Sequence, residues 1–283
     1  MEPFIPAGFN LALNWTADLL FPVLLRAVQN INEVVITDED KAMLRSLKKD
    51  RLLFFTNHPT TAEPPIAYHI ANLMGTRFKF MASRQVFEWN GGMVGKVISG
   101  IGAFSVIAGI PDRESLKAAR SALAAREGKL VLFPEGEPTS GENDNLMPFQ
   151  PGLAQLGFWG YEDAKKLDPN ADVTVLPGFM KYIVDATEKE IRNDLEDSVR
   201  KIEKHYSIDP GRKNILRRFL TIGRYMMEEA EREYQIQDGD KHDFDYRVGR
   251  IRHAILDNCA DRFQIKGYKR DDDAIHKLRH LFA

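Results

Sequence analysis

Cysteine is the scarcest residue in this chain: Cys259 is the single one among 283 residues. That excludes an internal disulfide and fits a reducing cytoplasm. Its neighbours Asn258 and Ala260 lie on an expected helix, so it reads as a small packing residue and not as a nucleophile. Net charge is equally slight. Basic side chains number 39 and acidic ones 41, leaving −2 and a pI near 6.4. Such a balance gives no whole-protein pull toward nucleic acid or acidic membrane. The N-terminus lacks the basic n-region of a signal peptide, and no uninterrupted apolar run approaches a membrane span. The expectation is a cytoplasmic protein, soluble or peripheral on the inner face of the membrane.

Signature motifs are missing as well. Gly91-Gly92-Met93-Val94-Gly95-Lys96 has the composition of a phosphate loop, but its glycine spacing is wrong and Val97 replaces the Ser or Thr. No dinucleotide fingerprint and no G-x-S-x-G nucleophile elbow occur. Neither H-E-x-x-H nor paired cysteines suggest a metal, so no metal and no resident cofactor are expected. His69, His205, His242, His253, His276 and His280 are scattered without a partner pattern and read as structural or solvent-exposed.

What is present centres on Asn57-His58-Pro59-Thr60-Thr61-Ala62-Glu63-Pro64. The run Leu52-Leu53-Phe54-Phe55 leads into it as a short buried strand, and the prolines at 64 and 65 open a helix after it. His58 and Glu63 therefore fall on a strand-to-helix turn, where side chains of an open α/β sheet reach a ligand crevice. An imidazole and a carboxylate there suit a base and the group that orients it. A lone histidine beside a strand is also a common hydrogen-bonded structural residue. A second buried strand, 129–133, ends in Pro134-Glu135-Gly136-Glu137-Pro138.

The alternation continues along the chain. Strands are expected near 51–56, 77–82, 103–107, 129–133 and 173–178, with helices near 65–74, 92–100, 114–126 and 152–166. Apolar strands alternating with helices argue an α/β fold with a mostly parallel sheet flanked by helices. Before the sheet, residues 8–31 form the most apolar stretch, which Pro22 should split into two short helices. Its two readings stay open: an interfacial anchor dipping Phe9, Leu13, Trp15, Leu20 and Phe21 into lipid, or a cap on the protein's own core. Thr37-Asp38-Glu39-Asp40 starts a charged helix with an N-cap and acids in its first turn. From about residue 186 the chain turns helical and highly charged, with helices expected at 189–206, 212–234, 244–262 and 271–282. The organisation expected is N-terminal amphipathic helices over 1–49, an α/β core over 50–185, and a helical C-terminal appendage over 186–283.

Asn-His-x-x-x-x-Glu at one strand end and Phe-Pro-Glu-Gly at another resemble the glycerolipid acyltransferase family, of the lysophosphatidic acid acyltransferase type. Further blocks are similar in order: Ala82-Ser83-Arg84-Gln85-Val86-Phe87, Gly102-Ala103-Phe104-Ser105-Val106, Phe149-Gln150-Pro151-Gly152-Leu153-Ala154 and Val175-Leu176-Pro177-Gly178. The resemblance covers roughly residues 50–184. In that family the first block is usually His-x-x-x-x-Asp, so Glu63 stands in for aspartate. The resemblance implies a fatty acyl group moved from acyl-CoA or acyl carrier protein to a lysophospholipid hydroxyl, with His58 and Glu63 catalytic and a membrane surface nearby. It places Glu135 and Gly136 at the acceptor site. The family's arginines, which hold the acceptor's phosphate, correspond here to Ala108 and Pro138, with Glu137 where threonine is common. Arg84, Arg113 and Lys181 are the replacement cations, and Arg113 reads equally as a surface residue at a helix start. An acceptor other than lysophosphatidate, or a non-catalytic lipid-binding role, remains open on those departures.

Overall fold

The computed structural model describes residues 4–107, 112–136, 138, 146–150, 152–237 and 242–282. Ala108, Glu137 and Pro151 lie outside these residues. Two compact units are formed, Met1–Ile183 and Val184–Ala283.

In the first unit, α1 (Leu11–Gln29) and α2 (Asp38–Ser46) precede β1 (Leu52–Thr56). There follow α3 (Glu63–Met74), β2 (Lys79–Ser83), α4 (Arg84–Glu88), α5 (Met93–Gly100) and β3 (Ala103–Val106). Then come α6 (Arg113–Ala124), β4 (Lys129–Leu132), α7 (Gly152–Leu167) and β5 (Thr174–Gly178). The strands make one all-parallel sheet in the order β3-β2-β4-β1-β5. Successive side chains on β1 point to opposite faces. Leu52 and Phe54 pack with Ile66, Ile70 and Met74 of α3, while Leu53 packs with Leu123 of α6 and Leu156 of α7.

Both layers follow from the direction of the connections. The steps β1 to β2 and β2 to β3 run one way along the sheet, and their helices α3 and α5 pack with one core. The steps β3 to β4 and β4 to β5 run back, and α6 and α7 pack with the other. Right-handed crossovers demand that reversal of face. It makes the neighbours β1 and β4 a pair whose outgoing chains leave on opposite sides. In open α/β sheets such a divergence at the C-terminal ends is where ligands bind.

The N-terminal stretch departs from its expected form. Pro22 lies inside α1 and does not split it. Proline removes one intrahelical hydrogen bond, but both halves of α1 are anchored to the rest of the unit. Asn14 Nδ2 donates to the Gly100 carbonyl at 3.0 Å, and Asp18 accepts from Tyr68 at 2.7 Å, Asn72 at 2.9 Å and Arg77 at 2.6 Å. Phe21, just before the proline, stacks on His69 at 5.0 Å, and beyond it Leu25 is buried and Gln29 accepts from the Thr61 hydroxyl at 3.3 Å. The helix is thus inside-out, with its polar groups facing protein and Leu11, Trp15, Leu19, Val23 and Val28 facing out. Leu13 and Phe21, expected at a lipid surface, turn inward instead, Leu13 closing on Gly100. As one continuous helix, α1 is long and apolar enough to cross a membrane by length and composition, with a mean hydropathy of 1.4.

The second unit is a run of helices, α8 (Glu188–Tyr206), α9 (Ile215–Glu233), α10 (Phe244–Arg262) and α11 (Ala274–Phe282). Thr187 and Glu190 close a capping box on α8. Ion pairs join successive helices: Glu203 with Arg218, Glu231 with Arg247, and Asp257 with the buried Lys277.

Candidate active site

A parallel sheet brings every strand's C-terminal end to one edge, and the residues singled out in the sequence lie along it. Leaving β1, the chain turns at Asn57 and presents His58, whose side chain is 14 % exposed. Pro64 and Pro65 sit in the first turn of α3, where absent N–H groups cost nothing, and Glu63 opens that helix completely buried. Its Oε2 lies 2.6 Å from His58 Nδ1. Its other oxygen accepts from the Thr60 hydroxyl at 2.9 Å and from the Tyr182 hydroxyl. The Thr60 N–H adds a donor at 3.1 Å.

Burial alone would raise the Glu63 carboxyl, but the hydrogen bonds from His58, Tyr182 and Thr60 outweigh it and hold the group below the usual glutamate value. An ionised Glu63 accepts the proton of His58 Nδ1, which leaves Nε2 as the nitrogen able to take a proton. The Phe133 ring lies 4.7 Å from the imidazole, tilted by 32°, and restricts its rotation. Tyr182 is driven the other way: burial and the adjacent Glu63 carboxylate push its hydroxyl far up, so it remains a donor.

Glu135, leaving β4, meets the same turn from below. Its Oε1 accepts the His58 backbone N–H at 2.9 Å and its Oε2 the Met147 N–H at 3.1 Å. It braces the segment carrying His58 against the chain after β4. Gly136 next to it has φ +85°, a left-handed turn that favours glycine. The turn's own amides are therefore committed: those of His58 and Thr60 serve carboxylates, Pro59 has none, and Gly136 N–H goes to the Phe133 carbonyl at 3.0 Å.

The cations expected from sequence spread along the edge. Arg84 starts α4 at the end of β2, its Nε 3.5 Å from Glu88. Arg113 is the exposed first residue of α6, beyond β3, with β2 and β4 between that strand and β1. Lys181 is exposed beside Tyr182 after β5. So His58, Glu63 and Glu135 are brought together, and Arg113 stands apart.

A family model described as acyltransferase matches residues 33–179, just over half of the chain. The protein belongs to the acyltransferase family. No curated protein and no solved structure matches it. The matched region of this acyltransferase contains β1, the His58 turn, the Glu135 turn and all of β5.

Two contributors to the site were given no role from the sequence. Tyr182 lies 119 residues from Glu63 and has no motif of its own. Asn57 delivers it: the Asn57 amide donates to the Met180 carbonyl at 2.9 Å and accepts the Met180 N–H at 2.7 Å. The side chain thus mimics one more backbone pair of the β1–β5 ladder. A buried asparagine directly after a parallel strand was the available signal, since such a residue must find partners for its amide.

Proposed function

We propose that this acyltransferase moves a fatty acyl group from acyl-CoA or acyl carrier protein to a glycerolipid hydroxyl, with 1-acyl-sn-glycerol-3-phosphate as the acceptor, in phospholipid biosynthesis. The observation that carries the reading is the His58–Glu63 pair at the C-terminal end of β1, beside the exit of β4, in a chain of this family. His58 Nε2 takes the proton of the acceptor hydroxyl as its oxygen attacks the thioester carbonyl carbon. The tetrahedral intermediate collapses with cleavage of the C–S bond, and the thiolate leaves with the proton returned from the imidazolium. Glu63 stabilises the imidazolium in between. No metal or resident cofactor enters the scheme. General-base catalysis of this kind supplies roughly 10²–10⁴ in rate.

In this reading Glu135 and Gly136 shape the floor of the acceptor site, and Arg84 and Lys181 face the acceptor's phosphate, while Arg113, with two strands between its own and β1, is left out of the grip. Losing one such charge-assisted contact costs roughly 1.5–3 kcal/mol. A second reading keeps the chemistry and changes the acceptor to another lysophospholipid or a glycolipid; Pro138, where the family carries an arginine, favours it. A non-catalytic lipid-binding role would make no use of a His58 imidazole whose Nε2 is left able to take a proton. The outward face of α1 lies along the membrane surface, peripheral on its cytoplasmic side.

Purified protein, given acyl-CoA or acyl carrier protein with a panel of acceptors, should acylate lysophosphatidate. Arg84→Ala and Lys181→Ala should each weaken that reaction by one to two decades in kcat/KM and spare thioester hydrolysis by water, whereas Arg113→Ala should leave it unchanged. Normal acylation by the first two variants would remove the proposed phosphate grip. Acylation only of acceptors without a phosphate monoester would establish the second reading.

A further inference from the structure

The second unit has a surface that the acyl-transfer reading does not use. On α9, Leu216, Phe219, Leu220 and Met226 are 47–63 % exposed, at intervals of three, four and seven residues that put them on one side of the helix. The opposite face is occupied. Ile222 is buried, and Arg218 grips Glu203 of α8 through two hydrogen bonds of 2.8 and 2.6 Å.

Charge borders the stripe on one side. Lys213, Arg217 and Arg224 recur at intervals of four and seven residues, so they share one edge of the helix, and Arg212 adds a fourth cation beside its start. Between Arg212 and Met227 there is no acidic residue, and the first turn of α9 carries none. Among the described residues Arg212, Arg217 and Arg224 form no ion pair. Cations at a helix N-terminus oppose the macrodipole and weaken the helix by itself. An anionic partner turns both the dipole and the cations to advantage.

We propose that the second unit docks on anionic lipid through the N-terminal half of α9. Leu216, Phe219, Leu220 and Met226 enter the acyl boundary, while Lys213, Arg217 and Arg224 lie at the level of the lipid phosphates. The cations flank the stripe and do not stand on it. Long basic side chains can then reach phosphate while their stems cover apolar surface, as in interfacial helices. This contact goes beyond the one ascribed to α1 and differs from it in kind. Along its length α1 has only Arg26 as a cation, so its binding answers to apolar area and not to headgroup charge.

The difference makes the two separable in the full-length protein. Partition is measured onto phosphatidylcholine vesicles with and without phosphatidylglycerol, at low and high salt. Phosphatidylglycerol should strengthen binding, and salt should remove that increment. The Arg212→Gln/Lys213→Gln/Arg217→Gln variant should lose about a hundredfold on anionic vesicles, at about fivefold for each cation near the surface. Its binding to neutral vesicles should be unchanged. As a second probe, Phe219→Trp should add a blue-shifted emission component with anionic vesicles that the parent protein lacks. Undiminished anionic partition of the triple variant, or an unshifted Trp at 219, would overturn the proposal. So would a triple variant that binds vesicles normally but turns over poorly with acyl carrier protein, because the face would then receive an acidic protein.

Discussion

At the scale of residues, the site rests on one buried carboxylate with four donors. His58, Tyr182 and the hydroxyl and N–H of Thr60 converge on Glu63, which has no solvent to share the load. His58→Ala should lower the transfer rate by roughly 10²–10⁴ with Tm moving only a few degrees, because Tyr182 and Thr60 still hold the carboxylate. Glu63→Gln should also depress kcat, since an amide cannot stabilise an imidazolium. An unaltered rate in either variant would remove that residue from the chemistry. The same carboxylate sets an acid limb. Its pKa is depressed below the ordinary 4.5 in the folded protein. Its contribution to stability is therefore complete above that value and is lost as pH falls through the depressed one. Denaturant midpoints measured below pH 5 should fall less steeply for Glu63→Gln than for the parent.

At the scale of elements, strands that leave the sheet side by side deliver the parts of the site. β4, β1 and β5 are adjacent in the sheet, and their exits supply Glu135, His58 and Tyr182 in the same order. Two side chains lock those exits together: Glu135 ties β4's exit to β1's, and Asn57 ties β1's exit to β5's. Asn57→Ala should break two partly buried hydrogen bonds to Met180, a loss of about 2 kcal/mol. In a unit of this size that is roughly a 4–8 °C fall in Tm. It should also reduce kcat, because Tyr182 no longer arrives at Glu63 in register. Thermal unfolding and turnover measured on the same preparation test both parts.

At the scale of the whole molecule, α1 has to satisfy the protein on one side while it exposes apolar surface on the other. Removing it is a poor test of lipid contact, since Asp18 and Asn14 are built into the first unit and their loss would leave the Tyr68 hydroxyl without its acceptors and Arg77 without its carboxylate. Charging the outer face is the cleaner change. Trp15→Glu with Leu19→Glu should abolish flotation with neutral vesicles, and circular dichroism and Tm should stay close to the parent. Retained flotation would move the contact elsewhere. The segment carrying Phe87 and Trp89 likewise has one aromatic turned in and one turned out. Trp89 is exposed and free to add to such a contact, whereas Phe87 is buried beneath α5, where Gly95 lets the two backbones approach.

By itself the sequence determined the succession of strands and helices. Short β-rich runs punctuated by Gly and Pro, and amphipathic helices between them, are local signals, and local signals need no fold to be read. It also determined that His58 and Glu63 share one turn, since five residues cannot carry them far apart. Only the tertiary structure decided the strand order, and with it that Glu135 and Tyr182 come to that turn from 77 and 119 residues away. The same holds for α1. Its composition reads as an apolar helix broken at Pro22, and its unbroken course depends on Tyr68, Asn72, Arg77 and Gly100, residues that lie 50 to 86 positions along the chain from the groups they meet. Periodicity reports which side chains share a face. Which partner that face meets depends on packing across the whole unit, where residues distant in the chain come into contact.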